Sequence, residues 1–163
     1  MSHQKASKHL CFFALIFLIH SLFAQTTAKE KMAQLNYLVG EWVGTTKIIS
    51  NGVVTKEGAA YENIAYDLDR SILVIDLNTE FLQLHTIINY DEKDQKYYYH
   101  RFSKDGATVY PAEFKGGQLI VWRDEKTRFF FTGTTDGGFQ EYGEKMVDGE
   151  WKRFFEDTFI NTQ

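Results

Sequence analysis

The stretch "LNYLVGEWVG" at residues 35–44 divides the chain into two unlike parts. Upstream, "TAKEKMAQLNYL" places Met32, Leu35 and Leu38 at helical spacing, which predicts a short amphipathic helix ended by Gly40. Downstream, short runs rich in Val, Ile, Thr, Tyr, Phe and Trp alternate with turn signals. The two glycines around Trp42 therefore mark a helix-to-first-strand junction.

Nine connections follow the junction. Asn51-Gly52 is a two-residue hairpin signal. "DLDR" at 67–70, "NTE" at 78–80, "DEKDQK" at 91–96, Asp105-Gly106 and Gly116-Gly117 continue the series. "DEKT" at 124–127, "DGG" at 136–138 and Asp148-Gly149 complete it. Ten strands joined this briefly are antiparallel neighbours. A meander of that length removes its edges by closing on itself. The fold class expected is all-β: a ten-stranded antiparallel up-and-down barrel with a short N-terminal helix. Pro111 fits such a strand only at an end or a bulge.

Residues 1–24 read as a signal peptide. Lys5 and Lys8 precede "LCFFALIFLIHSLF", an apolar run of 14 residues, and Ala24 suits the last position before cleavage. The run is shorter than the roughly 20 apolar residues a spanning helix takes. The organisation expected is a signal peptide at 1–24, a helix and lead-in at 25–39, and a barrel domain at 40–163. The protein would be exported, periplasmic or secreted, with no stable membrane insertion after cleavage. Removing 1–24 leaves 16 basic against 22 acidic residues, a formal charge of −6, and takes away Cys11, the only cysteine. No disulfide framework is then possible. The acidity argues against nucleic acid and anionic membranes as partners, because both need a basic footprint.

Alternation within the runs separates two faces. In "SILVIDLN", Leu73, Ile75 and Leu77 oppose Asp76 and Asn78. In "LQLHTIINY", Leu82, Leu84, Ile88 and Tyr90 oppose Gln83, His85 and Asn89. Other runs are apolar on both faces. "KYYYHRF" sets Tyr97, Tyr99 and Arg101 against Tyr98, His100 and Phe102, and "RFFFTG" sets Phe129 and Phe131 against Phe130. Two readings stand: an aromatic core filled solid with one outer contact patch, or an aromatic-lined cavity open at one end.

Gly40-x-Trp42 after a helix and before a closed meander resembles the signature of the lipocalin-like (calycin) barrels. "LVGEWVG", with Gly44, is similar to uncharacterised bacterial lipocalin-like proteins and, more distantly, to the nitrobindin-like heme-binding barrels. "EYGEKMVDGEWKRFFEDTF" resembles the closing hairpin of the former. The resemblance covers roughly residues 35–160. It implies that Trp42 plugs the closed end and that Arg153 or Lys152 stacks on it by a cation–π contact. It also implies heme as an alternative cofactor, whose proximal histidine would stand late in the chain. The last two strands carry no histidine, so His100, or less favourably His85, would have to serve.

The enzyme readings find no support in the motifs. Ser50, Ser71 and Ser103 lie in no nucleophile-elbow setting. Two histidines 15 residues apart make no zinc site. Glu141 with Glu144, and Glu156 with Asp157, read as a solvated polar hairpin. The function expected is therefore a non-catalytic barrel holding a small hydrophobic or amphipathic ligand, with a solid envelope interaction module as the other possibility. The ligand-binding candidates are Tyr97, Tyr99, Arg101, Arg123, Phe129 and Phe131. Arg101, Arg123 or Arg153 could clamp a carboxylate bidentately.

Overall fold

The computed structural model describes residues 27–163. The expected signal peptide and Cys11 lie outside them. A six-residue helix, α1 (Ala28–Ala33), opens on a capping box. The Glu30 amide donates to the Thr27 hydroxyl at 3.2 Å, and the Thr27 amide donates to the Glu30 carboxylate at 2.9 Å. The expected single helix is broken after Gln34, and a 3-10 turn over Asn36–Leu38 carries the chain to Gly40. Met32, Leu35 and Leu38 are nonetheless all fully buried. Burying each contributes about 1.5–3 kcal/mol, so docking onto the barrel, not helix length, holds this segment.

Ten strands follow: β1 (Gly40–Ser50), β2 (Val53–Asp67), β3 (Ile72–Thr79), β4 (Gln83–Asp91) and β5 (Lys96–Ser103). The second half runs β6 (Gly106–Lys115), β7 (Gln118–Asp124), β8 (Thr127–Gly133), β9 (Phe139–Val147) and β10 (Glu150–Asn161). Each pairs antiparallel with its neighbours in sequence, and β1 pairs with β10 to close the barrel. Eight of the nine connections fall at the turn signals, and the β3–β4 turn, Glu80–Leu82, meets the "NTE" signal only at Glu80. Asn51-Gly52 and Asp148-Gly149 both carry two positive φ angles, as a type I′ hairpin turn requires.

Closure brings Gly44 against β10, where a Cβ would run into the carbonyl oxygen of Thr158. Gly40 answers a different need. Its φ is +153°, and a Cβ there would lie 3.3 Å from the Trp42 indole. The first glycine thus makes room for the Asn161 side chain of β10, 2.9 Å from such a Cβ, and for the tryptophan, and the second for the seam of the barrel.

α1 and the 3-10 turn cover the end at which β1 starts and β10 finishes. Trp42 sits there, 2 % exposed, its Nε1 donating to the Leu38 carbonyl at 2.8 Å. Phe139 packs edge-on to it at 4.9 Å and stacks on Phe159 at 4.7 Å. Three phenols tie the same plug to the wall. Tyr97 donates to the Lys31 carbonyl at 2.7 Å, Tyr66 to the Met32 carbonyl at 2.6 Å, and Tyr37 to the Phe131 carbonyl at 2.7 Å. Burial pushes the Tyr97 and Tyr37 phenols well above their ordinary range, so they remain donors.

The expected stacking of Arg153 or Lys152 on Trp42 is not made. Antiparallel pairing sets Trp42 opposite Asn161, and Arg153 lies eight residues earlier on β10, about 25 Å away along the strand. Arg153 instead lies over the Tyr142 ring at 3.8 Å and pairs with Glu156. Lys152 reaches Glu150 at 3.9 Å.

The runs that are apolar on both faces find two different homes. Tyr97, Tyr99, Phe129 and Phe131 point inward. Phe130 points outward and stacks on Tyr142 at 4.8 Å. Arg128 covers this outer stripe, 4.9 Å from the Phe130 centroid and 3.9 Å from that of Trp151. Its Nε and Nη2 donate to Glu144 at 2.9 and 2.7 Å.

Candidate functional site

Opposite the plug, the barrel is open. A cavity of about 510 Å³ runs inward from this mouth. Its walls alternate in phase with the strands. Ile48 and Thr46 come from β1, Leu77 and Thr79 from β3, Leu84 from β4, and Tyr99 and Arg101 from β5. Thr108 and Tyr110 of β6, Phe129 of β8 and Phe155 of β10 close the circle. Phe81, Leu82, Arg123 and Phe154 line it as well, Phe81 and Leu82 from the β3–β4 turn.

Four of the candidates from the sequence meet here: Tyr99, Arg101, Arg123 and Phe129. Tyr97 and Phe131 do not line the cavity. Tyr97 is held by the plug, and Phe131, 1 % exposed, packs 5.8 Å from the Tyr99 ring as part of the core beneath. Arg101 donates to the Ser103 hydroxyl at 3.1 Å and makes no ion pair among the described residues.

The sequence reading placed Glu141 and Asp157 on a solvated hairpin. That reading is corrected: both are inside the barrel, 6 % and 3 % exposed, and both line the cavity. Glu62 of β2, 1 % exposed, joins them. Glu144 and Glu156 do lie on the outer face, beside Arg128 and Arg153. The signal was the strand alternation itself. Glu141 shares a face with Phe139 and Gly143, Asp157 with Phe155 and Phe159, and Glu62 with Ala60 and Ile64.

These three carboxyls sit where water cannot compensate them. Glu62 Oε2 and Asp157 Oδ1 have no hydrogen-bond partner. Burial first, and the neighbouring Asp157 charge second, push the Glu62 carboxyl up to about 8. Burial and the charges of Glu62 and Asp157 push Glu141 well above the carboxylate range. Burial raises Asp157 to about 6, with the Thr46 hydroxyl opposing the rise. Tyr99, which shares a 3.2 Å hydrogen bond with Thr86, is also raised by burial and by the nearby Glu141. At neutral pH Glu62 therefore keeps its proton, and burial favours the protonated form of Glu141.

Among the described residues, no histidine, cysteine or lysine lines the cavity. His100 points outward and its Nε2 lies 2.8 Å from Asn89 Oδ1. His85 is also on the outer face, its Nδ1 2.6 Å from Asp76 Oδ1. Neither fits as the axial ligand of a heme held in the barrel. Among the described residues, no three His, Cys, Asp or Glu side chains stand close enough to hold a metal ion. No helix of the described residues is long and apolar enough to cross a membrane.

The closed ten-strand barrel is compatible with a lipocalin-like fold. The chain matches no model of a known protein family and none of the curated proteins.

Proposed function

We propose that this protein is an exported, non-catalytic, lipocalin-like barrel that binds a small hydrophobic or amphipathic molecule in its interior. The observation that carries this reading is the 510 Å³ cavity, walled by aromatic and aliphatic side chains and reached through an open end. A space of that size, with apolar walls and convergent polar groups, is the common form of a small-molecule site. It favours a container over a barrel filled solid. The arginines at Arg101 and Arg123 support an amphipathic ligand, because a guanidinium can hold an anionic group bidentately. A carboxyl of raised pKa can act as a general acid or base, but the cavity offers it no lysine, cysteine or histidine to work with.

The test is binding of a fluorescent fatty acid and of a neutral apolar dye to the purified chain. Thr108 lines the mouth of the cavity from β6, so Thr108→Trp narrows the entrance with an indole and should weaken both signals. If neither probe binds the unmodified protein, the container reading falls and the solid interaction module replaces it. If heme gives a visible absorption band that Thr108→Trp removes, the nitrobindin-like alternative is restored, with an axial ligand other than His85 or His100.

A further inference from the structure

We infer that the inner end of the cavity is built to receive the ammonium group of an apolar organic amine. This rests on the container reading and names the class of its ligand. Glu62, Glu141 and Asp157 reach the barrel interior from β2, β9 and β10, and all three are more than nine-tenths buried. Glu141 and Asp157 line the cavity, and among the described residues Asp157 Oδ1 and Glu62 Oε2 have no hydrogen-bond partner. A protein that keeps acids buried without partners carries a desolvation penalty that an incoming donor relieves.

The shape of the donor follows from what surrounds them. Among the described residues no ion pair joins these three to any lysine or arginine, so an incoming cation displaces no existing partner. The acids are not grouped tightly enough for a bare metal ion, which leaves a larger, organic cation. A primary ammonium carries three donors, enough to engage Asp157 Oδ1 and Glu141 where they line the cavity. The walls leading to them are Tyr110, Phe129 and Phe155, which suit an apolar or aromatic body and offer ring faces to a cation on its way in.

Protons report the event. The titratable and charged groups that line the cavity are Glu141, Asp157, Asp105, Tyr99, Arg101, Tyr110 and Arg123, with Glu62 buried beside Asp157. Without a guest Glu62 holds its proton at pH 7, and burial favours the protonated form of Glu141. An arriving ammonium favours their ionised forms and drives those protons into the buffer.

The experiment is calorimetric titration of the purified chain with three probes of one shape: tryptamine, indole-3-propionate and 3-methylindole. Each is run at pH 7 in two buffers of different ionisation enthalpy, which counts the protons released. Tryptamine should bind at least tenfold more tightly than either of the others, and only tryptamine should release protons. Glu141→Gln and Asp157→Asn should each weaken tryptamine tenfold or more while leaving 3-methylindole unchanged. The comparison among probes needs no variant, so it holds even where a substitution fails to fold. If 3-methylindole or indole-3-propionate binds as well as tryptamine, or tryptamine binds without releasing protons, the amine inference is overturned and the container reading stands. If no probe binds and the dyes of the Thr108→Trp test do not bind either, the container reading fails and takes this inference with it.

Discussion

Raising the pH from 5 to 8.5 should destabilise the ligand-free protein, and Glu62 should be a principal cause. Its carboxyl goes from an ordinary value of 4.5 to about 8 on folding. The folded state therefore binds a proton between these two values that the unfolded state does not. Stability falls with rising pH wherever the native state holds more protons. The contribution is fullest at or below the unfolded value and is lost as the pH rises through about 8. One pKa unit corresponds to about 1.36 kcal/mol, so Glu62 alone accounts for about 3–4 kcal/mol between pH 5 and 8.5. Asp157 and Glu141 act in the same direction, though not additively, because the three repel one another. Domains of this size have about 5–15 kcal/mol in total, so the effect is readable in urea unfolding followed by tryptophan fluorescence. Glu62→Gln keeps the shape and removes the titration. It should match the unmodified protein near pH 5, exceed it in stability at pH 8.5, and show a shallower pH dependence. An unmodified protein whose urea midpoint stays flat or rises from pH 5 to 8.5 would refute the reasoning, as would a Glu62→Gln variant with an unchanged slope.

Three further outcomes are expected. Trp42→Ala removes a fully buried aromatic, its packing on Phe139 and its bond to Leu38, and should cost about 3–5 kcal/mol in urea unfolding; a loss under about 1 kcal/mol would mean that Trp42 does not anchor the plug. Arg101→Ala should weaken a fluorescent fatty acid by about ten- to a hundredfold, the equivalent of one charge-assisted bond, and leave the matching fatty alcohol nearly unchanged; equal losses for both would assign Arg101 a packing role only. N-terminal sequencing of the exported protein should begin near Gln25, and a start at Met1 would show that residues 1–24 are not a cleaved signal.

Much of the architecture was legible along the chain, because a strand and its turn are local objects. Asn51-Gly52 and Asp148-Gly149 specify positive φ at both central positions whatever lies around them. The alternation in "SILVIDLN" names Leu73, Ile75 and Leu77 as the inner face, since successive side chains must point to opposite sides. Gly40-x-Trp42 marks the start of β1 because the glycine has to clear the indole beside it. Tertiary structure alone decided what the faces meet. Arg153 belongs to the end of the barrel away from Trp42 because β1 and β10 run antiparallel across the seam, a register the local pattern does not contain. Phe130 was as apolar as Phe129, yet it lies outside, covered by Tyr142 and Arg128. Above all, Glu62, Glu141 and Asp157 each share a strand face with apolar residues, yet nothing local brings those faces together. Only closure turns their faces inward together and excludes the water that would otherwise keep them ordinary acids.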